Sequence, residues 1–295
     1  MLLSRTHVTL EQNLNNMYTS RIAGIGHYVP ENVVTNKDLE KIMETTDEWI
    51  VERTGIHERR WIDPKTEDSP SVMGTKAARI AIKNAGITPD DIDFIVLATL
   101  SPDYYFPGPG VMVQDQLGIK EVGALDVRNQ CSGFVYGLSV ADQFVKTGMY
   151  KNVLVIGTEN HSGGLDKTTR GRNVSVIFGD GAGAVVLQRS ADKNRGILST
   201  HLHSEGKHAK ELALLGPNTA HWVDKIIAEN NPEDLSYYPY MNGNFVFKHA
   251  VTRFAEVIME ALDANGLKST DINLLVPHQA NLRISQFIAH KMGLG

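Results

Sequence analysis

Short, nearly continuous apolar runs alternate along the chain with longer segments in which apolar side chains return every three or four positions. This is the pattern of strands alternating with helices. Arg21-Ile22-Ala23-Gly24-Ile25-Gly26 reads as a first strand closed by glycines, and Pro30-Glu31-Asn32 turns the chain. Thr35, followed three residues later by Asp38, marks the start of a helix through Met43. A second helix is expected from about Ser69 to Ala85, carrying Val72, Ala77, Ile80 and Ile82 and ending at Gly86. Ile92 to Thr99 is apolar enough for a parallel strand buried on both faces. A Pro/Gly loop from Phe106 to Gly110 leads into a helix over Val111–Leu117, and Gly123 to Arg128 is a short strand. After it, Phe134, Val135, Leu138, Val140, Ala141, Phe144 and Val145 occupy almost every face of a helix, which predicts a buried one. Val153 to Gly157 is a strong strand, and the glycine-dense turn from Phe178 to Gly183 feeds another through Leu187.

The pattern then recurs. Gly196 to His203 is strand-like, and a polar stretch runs to about Gly243. From about Asn244 a helix is expected, with Phe247, Val251, Phe254, Ile258 and Leu262 on one face and a stop at Asn265-Gly266. Ile272 to Val276 reads as a buried strand, followed by Pro277-His278-Gln279-Ala280-Asn281 and a helix over Leu282–Met292. Strands and helices in this alternation imply an α/β fold with a mostly parallel sheet. The order strand, reactive residue, helix holds around both Cys131 and His278, which suggests two related α/β halves, 17–190 and 191–295. Residues 1–16 are polar and non-periodic, with Met17 just before the first strand, and are expected to be a disordered tail outside the fold.

Composition narrows the function classes. The chain of 295 residues is 42% hydrophobic and 21% charged, an ordinary globular balance. A net charge of −5 argues against nucleic acid as the main partner. The one cysteine excludes an internal disulfide and a cysteine-based zinc site, so no metal is expected, and it fits a reducing cytoplasm. No apolar run approaches the ~20 residues that cross a bilayer, and the first residues lack a signal peptide's apolar centre, so no membrane association is expected.

Cys131 lies between the strand ending near Arg128 and the apolar helix, which places it at a helix start. Unpaired N–H groups and the helix dipole favour a thiolate there, and thiols so placed can fall from about 8.5 to roughly 3.5–7.5 in pKa. Two readings stand: a nucleophile, or a small buried hydrophobe. His278, beside Asn281, also sits where a strand gives way to a helix, and binding sites of parallel α/β folds gather at such strand ends. A cysteine with a histidine donor suits acyl transfer, the thiolate taking the acyl group and the imidazole steadying charge on the substrate oxygen. The Gly179/Gly181/Gly183 cluster precedes a strand, whereas a phosphate cradle opens a helix, so close backbone packing explains it better. Arg170 and Arg172 occupy a polar loop, either solvated or holding a phosphate-bearing ligand. Trp49 and Arg53, one helical turn apart, serve either packing or a nucleotide.

The segments NQCSGFVYGLSVADQFVKTG, RGRNVSVIFGDGAGAVVL, TDEWIVERTGI, GNFVFKHAV and VPHQANLRI resemble, in order, the motif set of β-ketoacyl-acyl carrier protein synthase III, a thiolase-fold condensing enzyme. The resemblance runs from about Met17 to Gly295. It implies two α/β halves in layered helix–sheet–helix–sheet–helix packing. It also implies a cytoplasmic, homodimeric acyltransferase of fatty acid biosynthesis that needs no cofactor. An acyl-CoA primer, acetyl-CoA in the first instance, would acylate Cys131, and malonyl-acyl carrier protein would decarboxylate and attack it. His278 matches the histidine that steadies the malonyl thioester oxygen. Trp49 and Arg170 match residues that sandwich the CoA adenine, with Arg53 beside them. Asn244, Phe247 and Asn281 fall with the substrate-binding groups, and Phe106 with the residue a dimer partner contributes to the acyl pocket. Lys248, Arg283 and Lys291 match a basic face for the acidic carrier protein.

The departure is at the C-terminus. Family members continue into a Gly-Asn-Thr-Ser-like motif, whose asparagine is the third catalytic group, and into closing strands, whereas this sequence stops at Gly295. The second half is therefore expected to be incomplete, as in a fragment of a longer enzyme, and Asn281 does not take the missing role. Two further readings compete. A papain-like hydrolase shares the Cys, His and Asn order but not the local signature around Cys131. A weak or inactive condensing-enzyme fragment would act only as a binding partner of carrier protein or subunit.

Overall fold

A computed structural model describes residues 18–190, 192–216 and 231–294. The expected tail at 1–16 lies outside the described residues. Along the chain the strands are β1 (Thr19–Tyr28), β2 (Val33–Thr35), β3 (Glu58–Arg60), β4 (Phe94–Ala98), β5 (Gly123–Val127), β6 (Asn152–Glu159), β7 (Gly181–Ser190), β8 (Leu212–Ala213) and β9 (Tyr240–Met241). The helices are α1 (Asn36–Leu39), α2 (Asp47–Thr54), α3 (Pro70–Asn84), α4 (Pro109–Leu117), α5 (Gly133–Lys146), α6 (Arg172–Ser175), α7 (Gly243–Ala264) and α8 (Leu282–Lys291). Contacts divide the chain into two compact units. The first holds described residues 18–28, 69–159, 182–190 and 192–200; the second holds 29–68, 160–181, 201–216 and 231–294. Each unit draws on residues from either side of position 190, a different division from the sequence halves 17–190 and 191–295.

The first unit is built on a five-stranded sheet in the order β1-β7-β6-β4-β5. β4 runs parallel to both neighbours, Ile95 lying opposite Ala124 on β5 and Leu154 on β6. The apolar runs that predicted these strands are buried as expected, Ile95 to Ala98 and Val153 to Ile156 being closed to solvent. β1 closes one edge antiparallel to β7. Helix α3 starts where the Ser69 side chain accepts from the Val72 N–H, with Pro70 in the first turn, and it packs on β1. That contact exists because β1 carries glycines: a Cβ on Gly24 would stand 2.1 Å from the Ala81 carbonyl oxygen, and one on Gly26 2.2 Å from that of Ala77.

Helix α5 departs from its expected all-round burial. Gly133, Gly137, Ala141 and Val145, spaced four apart, form the buried stripe together with Asp142, while Val135 is 46% exposed. Phe134, Leu138, Val140 and Phe144 flank the stripe and are only partly buried, so the stripe alone is sealed against the sheet. The buried Asp142 carboxylate is satisfied by the Ser20 hydroxyl and by Lys146 Nζ at 2.8 Å.

The second unit has two apolar clusters. One gathers Leu39, Met43, Ile50, Trp61, Leu165, Val174 and Val176, with Trp49 and Phe178 against it. Arg59, buried in this region, ties it together by donating to the carbonyls of Val34 (3.1 Å) and Val176 (2.9 Å) and to Asn36 Oδ1 (2.8 Å). Burial lowers its pKa to about 10. The other cluster joins α7 to α8 through Leu262, Ile284, Ile288 and Met292. Two expected strands do not form, one at 196–203, of which residues 196–200 belong to the first unit, and one at 272–276 in the second. The stretches 196–203 and 272–280 carry no strand pairing, and Leu274 and Val276 are 79% and 71% exposed. An apolar run becomes a strand only when a neighbour takes its N–H and C=O groups, and among the described residues of the second unit sheet pairing joins β2 with β3 and β8 with β9. The glycine cluster also divides: Gly179 packs close to the Arg60 carbonyl, whereas a side chain at Gly183 would meet nothing within 4 Å.

Gly24→Ala is expected to lose about 3 kcal/mol of stability, the upper end of overpacking, whereas Gly183→Ala stays within about 0.5 kcal/mol. Urea denaturation of both variants checks this: equal midpoints would show that the β1–α3 contact is not tight.

Candidate active site

Because β4, β5 and β6 are parallel and in register, their carboxyl ends fall together, and the segments that follow them converge in the first unit. After β5 the chain passes Asn129 and makes a tight turn at Gln130–Ser132 before α5 begins. Gln130 takes a φ of 45°, a left-handed backbone that costs a residue with a side chain on the order of 1–3 kcal/mol. The turn is held by Asn129, whose Nδ2 donates to Ser132 Oγ at 3.2 Å, and by Ser132 Oγ, which donates to the Asn129 carbonyl at 3.2 Å. Gly133 lets α5 start directly over Ala98 at the end of β4. The result is a free thiol at Cys131 that is open to solvent on one side, unlike a small buried hydrophobe.

The charge environment of that thiol differs from the expected one. Although one side of Cys131 is open to solvent, the protein packed around the sulfur pushes its pKa up, and the Glu159 carboxylate pushes it further. Cys131 precedes the helix, whose N-cap is Ser132, so the dipole does not set the direction here. Glu159, the last residue of β6, is itself raised by burial even as its oxygens accept from the Leu100 N–H (2.9 Å) and Ser101 Oγ (2.7 Å). The resting thiol is therefore protonated, and its proton must leave as it attacks. Glu159 was not singled out in the sequence; its place at a strand end, the criterion applied to Cys131 and His278, is the signal that marks it. Phe106 belongs to the same unit and is 79% exposed, next to Tyr105 and Tyr104 at 56% and 59%.

The second unit holds His278 and the basic and aromatic residues. His278 follows the irregular stretch 272–277 and is exposed on one side, yet the protein around its ring lowers its pKa, so the imidazole is neutral at neutral pH. His161 is a second imidazole in this unit, packed at 4.7 Å on the Phe178 ring and lowered mainly by burial, with Asp180 opposing and the charge on His278 reinforcing. Asp180 is buried and accepts from the N–H groups of Ser162 (2.8 Å) and Ile62 (2.7 Å).

Helix α2 is fixed at its start by Thr46, whose hydroxyl accepts from the Trp49 N–H at 3.1 Å, and ends at Gly55 with φ 73°. A Cβ on Gly55 would fall 2.7 Å from Leu282, so α2 ends against the start of α8. There Asn281 caps α8 through its oxygen to the Arg283 N–H (2.8 Å), and its Nδ2 donates to the Arg53 carbonyl (3.1 Å). The PHQAN segment and the Trp49–Arg53 helix are thus joined. Arg283 spends its guanidinium on the Glu52 carbonyl at 3.0 and 3.2 Å, while Lys248 and Lys291 are exposed. Asn244 is exposed in the first turn of α7, and Phe247 is half-buried in the α7–α8 cluster. The Arg53 guanidinium lies 4.6 Å from the Trp49 ring centre. Arg170 does not lie there: it pairs with Asp166 (2.6 Å) and Glu233 (2.9 Å) and covers Tyr238 at 5.0 Å. It is Arg172 that approaches Trp49, at 5.2 Å.

Comparison with known proteins identifies the lineage. The model of 3-oxoacyl-[acyl-carrier-protein] synthase III matches residues 125–206, and that of its C-terminal part matches 262–295. The beta-ketoacyl-[acyl-carrier-protein] synthase III of Yersinia pseudotuberculosis is 46% identical over 279 residues, covering 95% of this chain and 82% of that one. The chain belongs to the 3-oxoacyl-[acyl-carrier-protein] synthase III family. The Aquifex aeolicus member aligns in structure with a TM-score of 0.83 at 42% identity, over 94% of this chain and 82% of that one. The priming beta-ketosynthase of the R1128 polyketide pathway aligns at 0.84 with 33% identity, over 95% and 80%. The thiolase-like α/β fold follows from this family membership. One matched segment contains Cys131, Glu159, His161, Arg170 and Arg172, and the other contains His278, Asn281, Arg283 and Lys291.

Glu159→Gln keeps an oxygen acceptor while removing the charge, so the Cys131 pKa is expected to fall. The rate of iodoacetamide alkylation, followed by mass spectrometry against pH, should then rise at lower pH than in the unaltered protein. An unmoved profile would show that Glu159 does not act on the thiol.

Proposed function

We propose that the protein catalyses the decarboxylative condensation of an acyl-CoA primer, acetyl-CoA first among them, with malonyl-acyl carrier protein, the step that initiates fatty acid synthesis. The observation that carries this is the exposed Cys131 on its left-handed turn at the carboxyl ends of β4, β5 and β6, in a chain of this family. Cys131 sulfur attacks the primer's thioester carbon, the carbon–sulfur bond to CoA breaks, and the thiol's proton ends on the departing CoA sulfur. Malonyl-acyl carrier protein then loses CO₂, and the electron pair of the broken bond becomes an enolate. That carbon attacks the acyl group, the bond to Cys131 sulfur breaks, and the departing thiolate takes a proton from solvent to regain its thiol. His278, neutral, donates to the enolate oxygen, a role worth on the order of 10²–10³ in rate for a preorganised donor.

Lys248 and Lys291 are exposed cations suited to an acidic carrier protein, and their charge steers association even in a chain of net charge −5. The exposed aromatic run Tyr104-Tyr105-Phe106 suits contact with a second copy of the chain and supports the reading of a homodimer. Sedimentation should give a dimer mass that Phe106→Glu reduces to a monomer; a monomeric unaltered protein would sink the dimer.

Incubation with radiolabelled acetyl-CoA should place label on the protein that Cys131→Ser abolishes. His278→Ala should still take the label but condense at least about 10²-fold more slowly with malonyl-acyl carrier protein. No label on a folded protein, with every acyl-CoA tried, would leave a non-catalytic binding partner instead.

A further inference from the structure

We propose that residues 206–210 form a pH-sensitive flap over the first turns of α7, seated by the His208 ring on Phe245 and His249 until both imidazoles are charged, and lifted when they are. The flap lies wholly in the second unit and belongs to a strap that runs along α7 in the opposite direction. At its start, His201 Nδ1 and His203 Nε2 each meet one oxygen of Glu260, at 3.0 and 2.6 Å. Two turns earlier on the helix, Arg253 holds Glu205 at 2.8 and 3.1 Å. At its far end, the Glu211 carbonyl accepts from the N–H of Asn242, the N-cap of α7, at 2.8 Å, and Glu211 Oε2 accepts from Asn242 Nδ2 at 2.9 Å. Leu212 and Ala213 then pair with β9. The chain is thus pinned at 205 and again at 211. Between these pins the backbone bonds are local: the His208 N–H donates to the Glu205 carbonyl at 3.0 Å, and the Glu211 N–H to the His208 carbonyl at 3.1 Å.

Ring contacts seat the segment on the helix. His208 packs on Phe245 with ring centres 4.7 Å apart and on His249 at 4.9 Å, while Phe245 and His249, one helical turn apart, stack at 3.7 Å. His249 Nδ1 donates to the Phe245 carbonyl at 3.2 Å, which leaves Nε2 to gain or lose the proton. One imidazolium is tolerated there, because a cation is attracted to an aromatic face. A second places two like charges side by side. Lys207 and Lys210 on the flap and Lys248 beside His249 are exposed cations that add to the repulsion. Of the carboxylates on the strap and on this side of α7, Glu205 and Glu256 pair with Arg253, Glu260 with the two histidines, and Glu211 bonds to Asn242. Helix α8 packs on the Phe247, Val251 and Phe254 side, away from His249.

The start of the strap responds with the reverse sign. Its hydrogen bonds from His201 and His203 hold the Glu260 carboxyl below the ordinary carboxylate range, so Glu260 stays ionised while imidazoles gain protons. Protonating His201 and His203 strengthens those bonds. Acid therefore tightens the strap at Glu260 and opens the flap at His208. Opening bares Phe245 on the same turns of α7 that expose Asn244 and Lys248.

Nuclear magnetic resonance of the full chain with isotope-labelled histidine tests this. A ring-to-ring Overhauser contact between His208 and Phe245 is expected at about pH 7.5 and should be lost by about pH 5, with the His201 and His203 signals keeping their folded dispersion. His249→Phe retains a ring and removes one charge, so the His208 contact should persist at about pH 5. His208→Phe removes the other charge and serves as the second variant: its new ring should stay on His249 at both pH values. A contact that survives acid in the unaltered protein, or acid loss in both variants, would overturn the proposal. So would collapse of the His201 and His203 signals together with the contact, which would mark acid unfolding of the unit instead of a moving flap.

Discussion

The parallel pairing of β4 with strands on both sides is the constraint on which the nucleophile depends. Ile95 pairs with Ala124 and with Leu154, so the three strands end at one level and deliver Leu100, Cys131 and Glu159 to one region. Hydrogen bonds to both neighbours make that level hard to change, because slipping a strand by one residue would turn its buried side chains to the opposite face. The close approach of α3 to β1 through Gly24 and Gly26 buries one side of the sheet. The stripe of α5 from Gly133 to Val145 buries the other.

Within that frame, the chemistry is set by charges that lie far apart in sequence. Cys131 is kept protonated by the protein packed round its sulfur and by Glu159. A thiol that rests protonated is also less prone to oxidation and adventitious alkylation than a standing thiolate. In the second unit the logic runs the other way: burial holds His278 and His161 below the ordinary histidine pKa and keeps their rings neutral. Neutral imidazoles remain hydrogen-bond donors without adding charge to their surroundings.

Much of this was legible residue by residue. The Thr35 cap, the buried runs of β4 and β6, and the helices α3, α7 and α8 follow from patterns a few residues long and form close to where those patterns place them, although the helix that Thr35 caps stops at Leu39 rather than running to Met43. The motifs around Cys131 and His278 point to the condensing-enzyme family, which the relatives bear out. The stretch 272–276 looked as much like a strand as 94–98 did, but no neighbouring strand pairs with it, and it stays exposed. Phe247 and Arg283 show a similar limit. Their types and positions suit binding, while their contacts are the α7–α8 cluster and the Glu52 carbonyl.

The sequence by itself determined most helices and the paired strands of the first unit's sheet, the place of Cys131 between β5 and α5, and the family to which the chain belongs. These depend on periodicity, capping and turn chemistry, which act between near neighbours in the chain. Only the tertiary structure decided that the Cys131 pKa rises rather than falls. It also decided that Arg172 rather than Arg170 reaches Trp49, and that one apolar run became a strand and another did not. Each of these depends on a partner distant in sequence, a carboxylate, a carbonyl or a neighbouring strand, and electrostatic and hydrogen-bonding energies are set by distance in space.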